Sequence, residues 1–115
     1  MKLDIIELNV KNWEAMIEWY VSNLNLKVVA REDDHKYALL AGSDGAMLGL
    51  FGVRNLLMRG SGGFIPYFRT EKLGDVVSNL KSKSVNIEDT QVQHWGEQAK
   101  VKDPEGNEFY LYEER

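Results

Sequence analysis

The chain has 115 residues, 43% hydrophobic and 28% charged, with a net charge of -4 and no cysteine. This length and composition point to one domain, 1–115, able to bury a core without covalent staples. The acidic balance and scattered Lys and Arg exclude the concentrated basic face that nucleic acid requires, and the missing cysteines exclude disulfides, thiol catalysis and cysteine-bound metals.

No apolar run approaches the ~20 residues of a membrane span. The N-terminus enters a strand pattern at once, without a charged-then-apolar leader pattern. The expectation is a cytoplasmic protein with neither membrane nor nucleic-acid partners.

In chain order, Leu3–Val10 has strand composition, with Ile6, Leu8 and Val10 on one side of the alternation. Asn12 is placed to cap a helix in which Trp13, Met16, Ile17, Tyr20 and Leu24 recur at helical spacing, with Glu14 in the first turn and an end near Asn23–Asn25. Leu26–Arg31, Lys36–Ala41 and Ala46–Val53 read as strands, the last two joined by the turn Gly42-Ser43-Asp44-Gly45. Arg54–Gly62 is a connecting loop that carries Leu56, Leu57 and Met58. Such apolar residues either cover a cleft, meet a partner chain or pack on a sheet edge.

Gly63–Arg69 then reads as a strand, Thr70 as a cap and Leu73–Ser82 as a helix. Asn86–Gln93 reads as a polar strand, and Gln98–Lys102 and Glu108–Glu113 as a hairpin around Asp103-Pro104-Glu105-Gly106-Asn107. There Pro104 presets the turn and Gly106 permits positive φ. A shift of 60 carries Trp13, Ile17 and Tyr20 onto Leu73, Val77 and Leu80. Each copy alone is too small to bury its apolar face. The expected architecture is therefore α+β, two βαβββ half-modules (1–53 and 63–115, joined by 54–62) forming a curved mixed sheet around a cleft.

Ile17-Glu18-Trp19-Tyr20 with Leu24-Asn25-Leu26, then Tyr67-Phe68-Arg69-Thr70, Trp95-Gly96 and Asp103-Pro104-Glu105-Gly106-Asn107 with Leu111, carry a resemblance over nearly the whole length. In their order and spacing they resemble the vicinal oxygen chelate superfamily, which includes glyoxalase I, extradiol dioxygenases, fosfomycin-resistance proteins and bleomycin-resistance proteins. The resemblance implies a divalent metal held by four side chains, two from each half. The matching positions here are Ile5, Gly49, Ile65 and Tyr110, none a usual ligand of such a metal. A slip of one residue offers Asp4 or Ile6, Leu48 or Leu50, Phe64 or Pro66, and Phe109 or Leu111, of which only Asp4 binds metals. We expect no metal and no cofactor.

Alternation from Ile5 and Ile65 places Glu7, Asn9, Tyr67 and Arg69 on the cleft side, together with Met47, Gly49, Phe51, Glu108, Tyr110 and Tyr112. Gln98 and Lys100 join them as polar handles, and Trp95 stands at the rim. The expected ligand-binding set is Glu7, Asn9, Met47, Phe51, Tyr67, Arg69, Trp95, Gln98, Lys100, Glu108 and Tyr110. Its apolar members either line a small-molecule pocket or simply fill the space. Its polar members favour a pocket, because burial without a partner is costly, unless Glu7 and Arg69 form an internal ion pair. Trp95 either stacks on a planar ligand or plays a structural part at the rim. His35 sits in a solvated hairpin tip, and His94, beside Trp95, has no carboxylate cluster near it in sequence.

The resemblance implies a homodimer that sequesters a small aromatic or charged molecule, as bleomycin-resistance proteins do. Two other readings stay open: a lyase, isomerase or dioxygenase related to glyoxalase I, with Glu7 or Glu108 as acid or base, and a structural or regulatory dimer with a filled cleft. No catalytic residue is assigned.

Overall fold

The computed structural model describes residues 4–52 and 65–115. Its internal contacts divide the chain into two compact units, Met1–Gly62 and Gly63–Arg115. The expected loop Arg54–Gly62 lies outside the described residues. Among the described residues no helix is long and apolar enough to cross a membrane.

The first unit runs β1 (Ile5–Val10), α1 (Trp13–Leu24), β2 (Lys27–Glu32), β3 (Tyr37–Ala41), β4 (Met47–Gly52). Its sheet has the order β1-β4-β3-β2, with β1 and β4 parallel and the other pairs antiparallel. Period-two alternation sends Leu8, Val10, Ala38, Leu40, Leu48 and Leu50 to one face, where they are buried with Trp13, Met16, Ile17 and Tyr20 of α1. The Leu, Ile, Val and Met side chains among them each contribute about 1.5–3 kcal/mol when removed from water.

Trp13 buries its ring without stranding its polar edge, because Nε1 donates to the Leu50 carbonyl at 3.0 Å. Above that ring, at 4.7 Å, lies the Arg31 guanidinium, which pairs with Glu14 and Asp33. Asn12 occupies the N-cap position, and its carbonyl accepts from the Met16 N–H at 2.9 Å. Its side chain makes no capping bond, so the expected cap is one of backbone only. The helix ends on Asn25 in the left-handed region (φ 56°), a conformation that asparagine tolerates.

The second unit repeats the plan with β5 (Tyr67–Arg69), α2 (Leu73–Ser82), β6 (Asn86–Ile87), β7 (Gln91–Gln93), β8 (Gly96–Lys102), β9 (Glu108–Glu114). Its sheet has the order β5-β9-β8-β6, with β7 also on β8. Strands β5 and β9 are parallel, as β1 and β4 are, and β8 and β9 are antiparallel. All three helix pairs related by the shift, Trp13/Leu73, Ile17/Val77 and Tyr20/Leu80, are buried. Phe109 is buried in this unit, with Phe68 edge-on at 5.2 Å, and Leu111, Ala99 and Val101 are buried as well. The fold class is mixed α+β, with one sheet and one helix in each βαβββ module.

Two local expectations are corrected. Thr70 does not cap α2: its hydroxyl donates to the Glu71 carbonyl. Lys72 takes the N-cap position in the left-handed region (φ 54°), and the Glu113 carboxylate accepts from the Lys72 and Leu73 N–H groups at 3.1 and 2.9 Å. Strand β9 lies beside β5 and extends past its end, which brings Glu113 to the loop that follows. The strand expected over Asn86–Gln93 is in fact two. Between Ile87↔Val101 and Gln91↔Gln98 the register slips, so this side carries one residue more than β8, as at a bulge. Lys81 of α2 pairs with Asp89 in the interruption.

The Asp103–Asn107 turn forms as expected. Buried Asp103 accepts from the Glu105 and Asn107 N–H groups at 2.8 and 2.9 Å and from the Asn107 amide at 2.9 Å, while Gly106 sits at φ 86°.

Candidate functional site

The sheet faces that carry no helix hold the expected residues, and each unit has its own set. In the first unit, pairing places Glu7 opposite Gly49 and Asn9 opposite Phe51, with Met47 two residues along on β4. Strand β3 adds Tyr37 opposite Phe51 and Leu39 opposite Gly49. The Tyr37 phenol reaches across β4 towards Glu7, so that its oxygen and Glu7 Cγ both border the space above Gly49.

Glycine at position 49 is what makes room for that approach. A β-carbon there would lie 2.7 Å from the Tyr37 oxygen and 3.2 Å from Glu7 Cγ. The Tyr37 pKa is pushed up to about 12, first by burial, then by the hydrogen bond to Glu7 and that group's negative charge. Phe51 meets the Tyr37 ring edge-on at 6.1 Å.

In the second unit Tyr67 and Tyr110 are partners across the parallel pair β5/β9. Their rings stack, with centroids 5.0 Å apart and planes 13° from parallel, and Tyr67 is 52% exposed. Tyr112 stands edge-on to Tyr67 at 6.0 Å, and half-buried Trp95 edge-on to Tyr112 at 5.9 Å. Gln98 lies opposite Tyr112, and Lys100 opposite Tyr110.

The Lys100 ammonium sits 6.0 Å from the Tyr110 ring centre, 3.6 Å from Glu108 and 3.9 Å from Glu88. Its pKa is raised, first by the negative charge that Tyr110 takes on when ionised, then by the Glu108 and Glu88 carboxylates. Arg69 pairs with Glu114 at 3.4 Å. Within the first unit Glu7 has the Tyr37 phenol beside it, and within the second Arg69 has Glu114.

The residues at the four positions that the family resemblance assigns to metal ligands do not form a donor set. Ile5 and Ile65 are aliphatic, Gly49 has no side chain and its β-carbon space is taken by the Tyr37 oxygen, and Tyr110 is engaged with Tyr67. Among the described residues no three His, Cys, Asp or Glu side chains gather as a metal site. His35 pairs with Glu32, and His94 is exposed.

Tyr37, Glu88 and Glu114 are additions that the sequence reading lacked. Glu114 follows from β9 running one residue beyond its expected end, and Glu88 from the interruption between β6 and β7.

The family model of the Glyoxalase/Bleomycin resistance protein/Dioxygenase superfamily matches residues 2–111. Among solved structures, TnmS3, an antibiotic binding protein from Streptomyces sp. CB03234, is similar with a TM-score of 0.85 at 20% identity, over 100% of this chain and 97% of that one. A member of the same superfamily from Sphaerobacter thermophilus DSM 20745 gives 0.83 at 17% identity, over 99% and 98%. A lactoylglutathione lyase from Agrobacterium tumefaciens gives 0.72 at 15% identity, over 96% and 91%. At these identities the likeness is one of fold. No curated protein sequence matches the chain.

Proposed function

The chain belongs to the glyoxalase/bleomycin resistance protein/dioxygenase superfamily, and on that premise we propose that it is a metal-independent small-molecule binding protein. Its ligand has a planar aromatic part that lies against the tyrosine face of the second unit. The observation that carries this reading is the Tyr67–Tyr110 stack, which leaves Tyr67 half in water. An exposed aromatic ring already held in place by a neighbour loses little freedom when a second flat surface covers it. Lys100, Glu108 and Arg69 around the rings supply polar groups that orient what is bound. Likeness in fold to an antibiotic binding protein agrees with such a role.

Metal independence rests on the residues at positions 5, 49, 65 and 110, which offer no donor set. A homodimer and a cytoplasmic location, both implied by the family resemblance and the cysteine-free composition, belong to the same proposal. Light scattering reads the first and fractionation of the source cells the second.

The test is a thermal-shift screen of planar aromatic compounds, since a ligand selective for the native state raises its apparent stability. A hit that Tyr110→Ala weakens by about 2–13-fold, the worth of one aromatic pair, supports the reading. A screen with no hit overturns it in favour of a filled face. Metal analysis of the purified protein is expected to find no divalent ion near one per chain. A stoichiometric ion whose removal abolishes binding overturns metal independence.

A further inference from the structure

We propose that the open sheet face of the first unit is a recognition site for a cationic nitrogen group, a guanidinium or protonated amine, with Glu7 as acceptor and Tyr37 as the residue that positions it. This goes beyond the aromatic face of the second unit and uses none of its residues.

Glu7 stands in the middle of β1, exposed on the side of the sheet without a helix and opposite Gly49 of β4. Tyr37 is two residues away along the face, and its phenol crosses the gap at Gly49 to lie beside the Glu7 side chain. A free glutamate samples several rotamers, and a ligand that bound it would have to freeze them. The phenol packed beside this one at Gly49 narrows that choice in advance. A carboxylate has about four lone-pair sites, so most of its acceptor capacity remains for a second donor.

The charge is also unbalanced within the unit. Ion pairs among the described residues of the first unit join Arg31 to Glu14 and Asp33 and His35 to Glu32, and they leave Glu7 out. Arg31 and Lys36 lie instead over the Trp13 ring. Beside the carboxylate, Phe51 and the Tyr37 ring provide aromatic surface. Carboxylate with adjoining aromatic rings is the pairing that suits a cation, through a charge-assisted hydrogen bond and attraction to the ring faces. An anion would meet the Glu7 charge, and a neutral ligand would gain only the weaker, uncharged bond.

The geometry also accounts for Gly49. Any larger residue would place its β-carbon in the space of the Tyr37 oxygen, 2.7 Å away, and separate phenol from carboxylate. A glutamate serving only solubility needs no such gap.

Methylguanidinium is the probe, with methylurea as its uncharged counterpart of similar shape. Neither carries an aromatic ring, so binding to them is distinct from the aromatic reading. In two-dimensional NMR titrations, methylguanidinium is expected to give saturable shifts centred on Glu7, Tyr37 and Phe51, and methylurea to bind about tenfold or more weakly. Glu7→Gln should weaken methylguanidinium about tenfold or more. Tyr37→Phe should weaken it less, and Tyr110→Ala should leave it unchanged.

A positioning role also has a spectroscopic sign. In Glu7→Gln the Tyr37 phenol should ionise below its value of about 12, read from its ring carbon resonance. Shifts spread evenly over the acidic residues, or equal affinity in Glu7→Gln and the parent, would overturn the proposal. So would a binding response lost in Tyr110→Ala but retained in Glu7→Gln, a result that leaves the aromatic reading intact.

Discussion

A single residue, Asp103, shows how far local pattern can be read. Its place at the head of a Pro-Glu-Gly-Asn stretch marks it as a turn former, and in the fold it is buried with three hydrogen bonds to Glu105 and Asn107. Asp103→Ala should therefore cost about 2–3 kcal/mol, because donors held by a carboxylate lose their acceptor. Urea unfolding measures that loss; a change below 0.5 kcal/mol, about what surface substitutions give, would show that the turn holds itself. Tyr37, by contrast, was hidden. The connection between β3 and β4 spans five residues, since Ala41 of β3 and Met47 of β4 are the flanking ends. The obvious four-residue turn Gly42–Gly45 would have set Tyr37 against Leu50 on the helix side of the sheet. One residue of loop length reverses the face of an entire strand, and Leu39 and Leu40, both apolar, give no parity signal to decide between the two.

Helices and strands were legible where periodicity alone decides them. The span of α2 was read to the residue, and β1, β3 and β4 were found within two residues at each end among the described positions. What failed was whatever depends on a partner distant in sequence. Thr70 looked like the cap of α2, but Glu113, some forty residues on, does that work. Its two backbone hydrogen bonds hold the Glu113 pKa below the ordinary 4.5, Leu73 contributing first and Lys72 second. A carboxylate whose folded pKa is lowered adds stability that is present above the unfolded value and lost as pH falls through the folded one. Glu113→Gln should thus lower the melting temperature by a few degrees at pH 7, and the gap to the parent should close as the pH drops below the usual glutamate range. Melts at several pH values test this; a gap that persists in acid would mean that the glutamine fails for reasons of shape.

For the molecule as a whole, the repeat was the most readable feature, since it was written in the spacing of large apolar residues on two helices. Leu80 and Tyr20 fill corresponding places, and both are about 1% exposed. Leu80→Ala should cost about 2–5 kcal/mol, measured by chemical denaturation; a loss under 1 kcal/mol would show that the second unit collapses readily around the cavity. The candidate faces were legible as composition but not as arrangement. The sequence shows the tyrosines and carboxylates, while the stack of Tyr67 on Tyr110 and the approach of Tyr37 to Glu7 depend on register. Gly49 and Tyr110 occupy one and the same place in the two copies, each opposite the third or first residue of a parallel neighbour related by the shift of 60. One copy keeps that place vacant so that a neighbour can reach through it, and the other fills it with a ring. Duplication thus gave this chain two trials of a single design choice, and it has kept both answers at once.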